Sequence, residues 1–193
     1  RGARANGQVP TAMPSTNKSG KAKIDQMIDE VILVDKDDRE LGTCEKMEAH
    51  KLGLMHRAFS VLLYNSKGEM LLQQRAAHKY HSAGLWSNAC CSHPRPGESM
   101  EVAVARRLQE ELGVVCKVKE IDRFVYHADF ENGLQEHELD YVFKGLVEEL
   151  PEGNPEEVQA MKFMNQDEML ADMKAKPMNY TVWFRLIMER LTK

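Results

Sequence analysis

The fold of this chain is decided by Leu85-Trp-Ser-Asn-Ala-Cys-Cys-Ser-His-Pro-Arg-Pro-Gly-Glu98 and the run that follows it, Ser99-Met-Glu-Val-Ala-Val-Ala-Arg-Arg-Leu-Gln-Glu-Glu-Leu-Gly-Val114. The first run has a strand pattern that ends at Pro94. The second predicts a helix that begins after an N-cap at Ser99 and ends at Gly113, where a left-handed residue is expected. The two runs therefore predict a strand and a helix that meet at one corner.

Four reactive side chains belong to this corner. Cys91 and His93 are two residues apart on the strand, so their side chains leave on the same face. Arg107 and Glu111 are four residues apart on the helix and share one side of it. A thiol, an imidazole, a guanidinium and a carboxylate are thus predicted to lie close together.

The helix resembles the Nudix box, G-x5-E-x7-R-E-U-x-E-E-x-G-U, in which U is apolar. Ser92 stands where the family has its first glycine, and Arg107 stands where it has the first glutamate of its metal-binding helix. An ordinary Nudix hydrolase holds its metal ions there with several carboxylates. Arg107 removes one such ligand and adds a phosphate-binding cation. The box therefore implies a diphosphate substrate and argues against ordinary diphosphate hydrolysis.

Further motifs narrow the resemblance to type 1 isopentenyl diphosphate isomerases, from roughly Asp29 to the C-terminus. The motifs are Met55-His-Arg-Ala-Phe-Ser60, Gln73-Gln-Arg-Ala76, Asn88-Ala-Cys-Cys-Ser-His-Pro94 and Glu136-His-Glu138. The resemblance implies an α/β (α+β) Nudix fold, a single domain with a mixed sheet between helices.

The family resemblance implies an acid/base pair of Cys91 and Glu138. The reaction adds a proton at one carbon and removes one from another through a carbocation-like state, and Glu138, assisted by Tyr126, is expected on the donor side. Trp183 would stabilise the cation by ~2 kcal/mol or more where water is excluded. Without the resemblance, Tyr126 also fits an ordinary aromatic residue of a strand. Trp183 then also fits a buried core residue. Cys90 points away from His93 and is expected in the core.

The resemblance also implies two metal sites. One would hold Mn²⁺, Fe²⁺ or Zn²⁺ with three imidazoles and two carboxylates, from His50, His56, His93, Glu136 and Glu138. The other is a Mg²⁺ ion that Glu111 binds together with the diphosphate. The remaining histidines are expected at the surface, namely His78, His81, His127 and His137.

Four cations match the family's diphosphate-binding positions, and they come from separate segments: Lys46, Arg75, Lys79 and Arg107. Any one of them could instead be a solvated surface residue. Arg106 is expected to pair with Glu110 one helical turn away.

Composition is typical of a soluble globular chain and argues against a nucleic-acid or membrane protein. The chain has 193 residues, a formal net charge of −4 and 42% hydrophobic residues. No apolar run approaches the roughly 18 residues that span a bilayer. Four cysteines without paired spacing indicate a reducing compartment. We expect no flavin, and a monomer or weak dimer.

Residues 1–24 are expected to form a disordered, basic extension before a catalytic domain over residues 25–193. The extension is consistent with a processing remnant, and the protein is then expected in the cytoplasm. It is also consistent with the tail of a transit peptide, and the protein is then expected in an organelle stroma or matrix.

Periodicity predicts the remaining elements. Strands are expected over 28–34, 40–47, 57–64, 70–75, 115–130, 138–148 and 158–164, and helices over 166–174 and 180–191.

Two other functions fit parts of the sequence. A Nudix hydrolase would leave Cys91 and the histidines without a role. A binding module with a Nudix fold would have no use for the pair of Cys91 and Glu138.

Overall fold

The computed structural model describes residues 30–193, so the predictions for residues 1–24 lie outside the described residues. The strands are β1 Glu30–Val34, β2 Glu40–Glu45, β3 His56–Tyr64, β4 Met70–Arg75, β5 Trp86–Ser87, β6 Cys90–Ser92, β7 Val118–Asp129, β8 Gln135–Leu146 and β9 Val158–Met164. The α-helices are α1 Lys46–Leu52, α2 Met100–Leu112, α3 Gln166–Ala175 and α4 Val182–Leu191, with a 3₁₀ turn at Pro177–Asn179.

Strand β3 organises the sheet. It pairs in parallel with β8 from His56↔Glu138 to Tyr64↔Leu146, and antiparallel with β1, β4 and β6. Strands β7 and β9 extend the sheet antiparallel to β8 and β4. The mixed sheet that the Nudix resemblance implies is therefore confirmed.

Two hydrophobic clusters cover the two faces of the sheet, because alternate residues of a strand point to opposite sides. Phe59 and Val61 of β3 pack with Leu108 of α2 in the first cluster. Leu62 packs with Phe184 of α4 in the second cluster. The sheet thus lies between helices, and its apolar central strand is buried on both faces.

Helix α2 begins and ends where its sequence predicts. The Ser99 hydroxyl accepts a hydrogen bond from the Val102 amide at 3.3 Å. Gly113 has φ 66° and donates its amide to the Gln109 and Leu108 carbonyls. Local capping signals therefore define both ends of this helix.

The sequence predicts one strand before α2, and this prediction is wrong in detail, because the structure has two short strands there, β5 and β6. Asn88 lies at the break, where its side-chain amide donates to the Val61 carbonyl at 3.1 Å and to the Cys90 carbonyl at 3.0 Å. These bonds turn the chain so that β6 pairs with β3.

Helix α1 was not predicted. The expected strand over 40–47 ends at Glu45, whose carboxylate accepts hydrogen bonds from the Met47 and Glu48 amides at 2.9 Å each. A helix of about two turns follows and ends at Gly53, with φ 62°. The last predicted helix likewise begins at Val182 rather than Tyr180, because the 3₁₀ turn precedes it.

No helix within residues 30–193 has the length and apolar character to cross a membrane. The cysteines at 44, 90, 91 and 116 are all free thiols.

Candidate active site

A polar cleft of about 260 Å³ opens beside β6 and the first residues of the segment after it. The predicted diphosphate-binding residues that line it are Lys46, Arg75, Lys79, Arg107 and Glu111. A smaller inner pocket of about 40 Å³ contains the predicted acid/base residues Cys91, Tyr126, Glu138 and Trp183. Arg75, Cys91 and His93 line both spaces, so the two are continuous.

The Cys91 thiol is held by two neighbouring polar groups. Its S–H donates to Asn88 Oδ1 at 3.1 Å, and its Sγ lies 3.5 Å from Ser60 Oγ. The Ser60 hydroxyl in turn donates to Asp140 Oδ2 at 2.9 Å. Burial, with the nearby Asp140 carboxylate, raises the pKa of the Cys91 thiol above its usual range. The protein alone therefore keeps this thiol protonated and oriented.

Glu138 is held by partners on both of its oxygens. Its Oε1 lies 3.0 Å from His93 Nε2 and 3.3 Å from His56 Nε2. Its Oε2 accepts from the Tyr126 hydroxyl at 2.7 Å. Burial opposes ionisation of Glu138, but the neighbouring His56 and His93 imidazoles hold its pKa well below the usual range.

Glu136 has the opposite electrostatic environment. Burial and the adjacent Glu138 charge raise its pKa well above the usual range. The Tyr126 hydroxyl lies 2.9 Å from Glu136 Oε2, so it stands between the two carboxylates. The pKa values of two acids on the same face of β8 are thus shifted in opposite directions.

The expected metal donors converge at the start of β3 and β8. His50, His56, His93 and Glu138 each offer an atom within 4.8 Å of the others. Glu136 lies instead in a second group with His50 and His81. The predicted five-residue set is thus brought together around His50, but as two overlapping groups.

The histidine tautomers suit metal binding. His50 Nδ1 donates to the Lys46 carbonyl at 2.7 Å and His56 Nδ1 donates to the Leu54 carbonyl at 2.8 Å, which leaves each Nε2 as the free donor atom. His50 Nε2 is buried and has no hydrogen-bond partner within the described residues. Burial lowers the pKa of His93 to about 4, so its ring is neutral near pH 7. The chemistry of these residues fits a borderline divalent cation.

Two of the cations at the cleft mouth, Arg107 and Lys79, are paired with carboxylates. Arg107 lies 2.5 Å from Glu111, 2.7 Å from Glu110 and 3.2 Å from Glu157. Lys79 also forms an ion pair with Glu157. The negative charge of the buried Glu111 carboxylate is therefore balanced by Arg107. The two residues lie on the same side of α2, as their spacing predicts.

Arg106 forms the predicted ion pair with Glu110 at 3.2 Å, but its closer partner is Glu98 at 2.8 Å. This contact connects α2 to the loop that precedes it.

Trp183 is buried, and its indole N–H donates to Ser87 Oγ at 3.0 Å. The guanidinium carbon of Arg75 lies 5.2 Å from the centre of its ring. The ring face toward the cleft thus already accommodates a cation. Trp86 is half-buried, and the Lys162 ammonium lies over its ring.

The surface prediction for His81 is wrong, because the side chain is buried and its Nε2 lies 3.1 Å from Glu136 Oε1. His78 and His127 are exposed as expected. His137 is half-buried, donates to the Gly53 carbonyl at 3.0 Å and faces away from the carboxylates on either side.

Sequence reasoning also missed Ser60, Asp140 and Glu157. Asp140 had a signal, since it continues the two-residue spacing of Glu136 and Glu138 along β8 and so faces the same side of the sheet. Ser60 had a similar signal, since it lies four residues after His56 on β3 and so faces the same side. Glu157 had none, because tertiary contacts alone bring it to the cleft.

A family model described as the NUDIX domain matches residues 54–184. Solved structures agree on the fold: a Deinococcus radiodurans protein has a TM-score of 0.64 at 20% identity, covering 76% of this chain and 89% of its own. A MutT protein from Methanosarcina mazei has a TM-score of 0.58 at 22% identity, covering 70% and 91%. The fold and the box on α2 therefore define a Nudix protein.

Curated relatives define the family within that class. The isopentenyl-diphosphate Delta-isomerase of Burkholderia multivorans is 48% identical over 164 residues, covering 85% of this chain and 93% of its own length. The enzyme of the same name from Pectobacterium atrosepticum is 46% identical, covering 84% and 90%. The chain belongs to the isopentenyl-diphosphate Delta-isomerase family, which is a family of enzymes.

Proposed function

We propose that this protein converts isopentenyl diphosphate to dimethylallyl diphosphate by protonation and deprotonation through a carbocation-like state. The observation that carries the proposal is the inner pocket, which contains both the Cys91 thiol and the Glu138 carboxylate that Tyr126 hydrogen-bonds. This pocket adjoins a cleft whose mouth is lined by cations. An allylic shift of a double bond needs two proton-transfer groups at different carbons, and Cys91 and Glu138 supply them. The two curated relatives are named isopentenyl-diphosphate Delta-isomerase, which matches this reaction.

The substrate is held at both ends. We assign its diphosphate to Lys46, Arg75, Lys79 and Arg107 at the cleft mouth, with a Mg²⁺ ion on Glu111. The short isoprenyl tail then reaches the inner pocket. The Trp183 face stabilises positive charge at the branched carbon. Burial of the pocket excludes water, which would otherwise trap the cation as an alcohol.

The proton transfers are assigned to Cys91 at one carbon and to Glu138 with Tyr126 at the other. The sequence-based assignment of Glu138 as donor stays a prediction. The pKa directions for the protein alone, raised for Cys91 and lowered for Glu138, favour the reverse order, in which the thiol donates and the carboxylate accepts. In either order, Ser60 and Asn88 orient the thiol and Tyr126 orients the carboxylate.

The His/Glu centre would hold a second divalent cation, Mn²⁺ or Zn²⁺, through His50, His56, His93, Glu136 and Glu138. Such an ion would supply charge neutralisation that lowers the proton affinity of the bound carboxylates. A cytoplasmic location and a monomer or weak dimer remain predictions.

The test is incubation with isopentenyl diphosphate and Mg²⁺ in D₂O, followed by NMR. We expect dimethylallyl diphosphate that carries deuterium. The Cys91→Ala variant should lose about 10²–10⁴ in rate, which is the usual contribution of one positioned acid or base. Cys116→Ala, a half-buried thiol outside the cleft, is the matched control and should keep the wild-type rate. Release of phosphate without the new alkene would instead identify a Nudix hydrolase.

A further inference from the structure

His81 is a buried imidazole beside the proposed metal centre for which the family resemblance provides no role. It lies in the loop between β4 and β5 and is 6% exposed. Its ring stacks on Phe130 with the ring centres 4.5 Å apart and the planes at 12°. Phe130 follows β7, so contact between two loops holds the imidazole in place.

The ring nitrogen that faces the centre is not satisfied by a hydrogen bond. His81 Nε2 is buried and has no hydrogen-bond partner within residues 30–193, although Glu136 Oε1 lies 3.1 Å away. The Nε2 atom of His50 is buried and without a partner in the same way. A buried polar atom without a partner costs free energy, so two of them around one carboxylate indicate that a cation belongs between them.

Within each of the two donor groups that overlap at His50, the short distances match those between donors that share one ion. Adjacent donors around a six-coordinate cation with bonds of about 2.1 Å lie about 3.0 Å apart. His93 Nε2 is 3.0 Å from Glu138 Oε1 and 3.2 Å from His56 Nε2. The 3.1 Å between His81 and Glu136 belongs to the same series. His50, His81 and Glu136 also offer atoms within 4.8 Å of one another.

We propose that His81 is a fourth imidazole donor of the metal centre, which binds the cation beside Glu136 and His50. This inference rests on the metal centre proposed above. A donor set of four imidazoles and two carboxylates is richer in nitrogen than Mg²⁺ or Ca²⁺ prefer. The centre should therefore select a transition metal such as Zn²⁺, Co²⁺ or Mn²⁺ over Mg²⁺.

The chemical alternative is that His81 only orients Glu136 and never contacts the ion. Loss of such a partner also weakens metal affinity, by about 10–100-fold. Affinity alone does not separate the two roles, so the test must count coordinated imidazoles.

The experiment uses full-length protein loaded with Co²⁺, whose paramagnetism shifts the ring N–H protons of coordinated imidazoles far downfield in the proton NMR spectrum. The His81→Phe variant keeps an aromatic ring to stack on Phe130, so its fold is retained. We expect one shifted exchangeable resonance fewer in this variant than in the wild type. We also expect a Co²⁺ dissociation constant at least about tenfold higher by chelator competition.

His78→Phe is the matched control, since His78 is exposed and lies three residues earlier in the same loop. It should keep the wild-type spectrum and affinity. Equal numbers of shifted resonances in wild type and His81→Phe would overturn the inference and leave the metal centre intact. Failure of the wild-type protein to bind Co²⁺ would overturn the centre itself. Thermal unfolding of the metal-free variant shows whether any loss of binding comes from misfolding.

Discussion

At the scale of single residues, Arg107 distinguishes this chain most clearly from the Nudix box that surrounds it. It replaces a carboxylate on the helix face that points into the cleft, and it contacts Glu111 and Glu157 there. A guanidinium at this position can bind a diphosphate oxygen, while the neighbouring carboxylates offer oxygens to Mg²⁺. The proposed diphosphate-binding role of this surface therefore depends on one substitution in the box.

Arg107→Ala should raise KM for the diphosphate substrate at least about tenfold, because about 1.4 kcal/mol of binding free energy corresponds to that factor. Steady-state kinetics measures the effect. Arg123→Ala is the control, since Arg123 pairs with Glu120 on β7 away from the cleft. An unchanged kcat/KM in Arg107→Ala would exclude Arg107 from substrate binding.

The residues that sequence reasoning found and missed differ in a physical way. Cys91, His93, Arg107 and Glu111 were found because two short-range spacings place them on common faces. His81 was missed because its burial depends on stacking against Phe130, a contact between distant parts of the chain. Local spacing carries no information on such a contact.

At the scale of elements, α2 is the part of the structure most directly encoded by local sequence. Its N-cap and its left-handed C-terminal glycine are both visible without tertiary information. Helix α1 shows the opposite case. It has only seven residues and is capped by a glutamate, which is not among the preferred N-cap residues, so no signal separated it from β2. That helix carries His50, and its omission left one metal donor without a predicted element.

Gly113→Ala should destabilise the protein by about 1–2 kcal/mol, which is the cost of a left-handed conformation for a residue with a Cβ. An added Cβ would meet nothing within 4 Å, so the backbone conformation alone sets the cost. Urea unfolding measures it as a lower midpoint with an unchanged slope. Gly113→Asn should lose less, since asparagine tolerates this conformation. If the alanine variant is as stable as wild type, the helix end is not held in the left-handed region.

At the scale of the whole molecule, the proposed metal centre would join parts of the chain that are far apart in sequence. Its donors come from α1, from the start of β3, from the segment after β6 and from β8. The unfolded chain has no such arrangement. A cation should therefore bind the folded state alone and stabilise it by linkage.

A divalent transition-metal ion at 100 times its dissociation constant should stabilise the fold by about 2.7 kcal/mol. For a chain of this size, that corresponds to a rise in Tm of about 5–11 °C. Calorimetry with the ion and with a chelator measures the difference. His56→Ala should abolish both the shift and the metal content by elemental analysis, whereas His127→Ala, on the exposed side of β7, should keep both. An equal Tm with ion and with chelator would contradict the linkage.

The parallel pairing of β3 with β8 also has a consequence for synthesis on the ribosome. His56 and Glu138 are partners in register, yet β3, which carries His56, leaves the ribosome long before β8. During that interval the nascent chain exposes imidazoles without their carboxylates, and the central strand lacks its longest neighbour. Capture of a metal ion by this centre should therefore be a late event in translation, and chaperone protection should matter most until Leu146 has emerged.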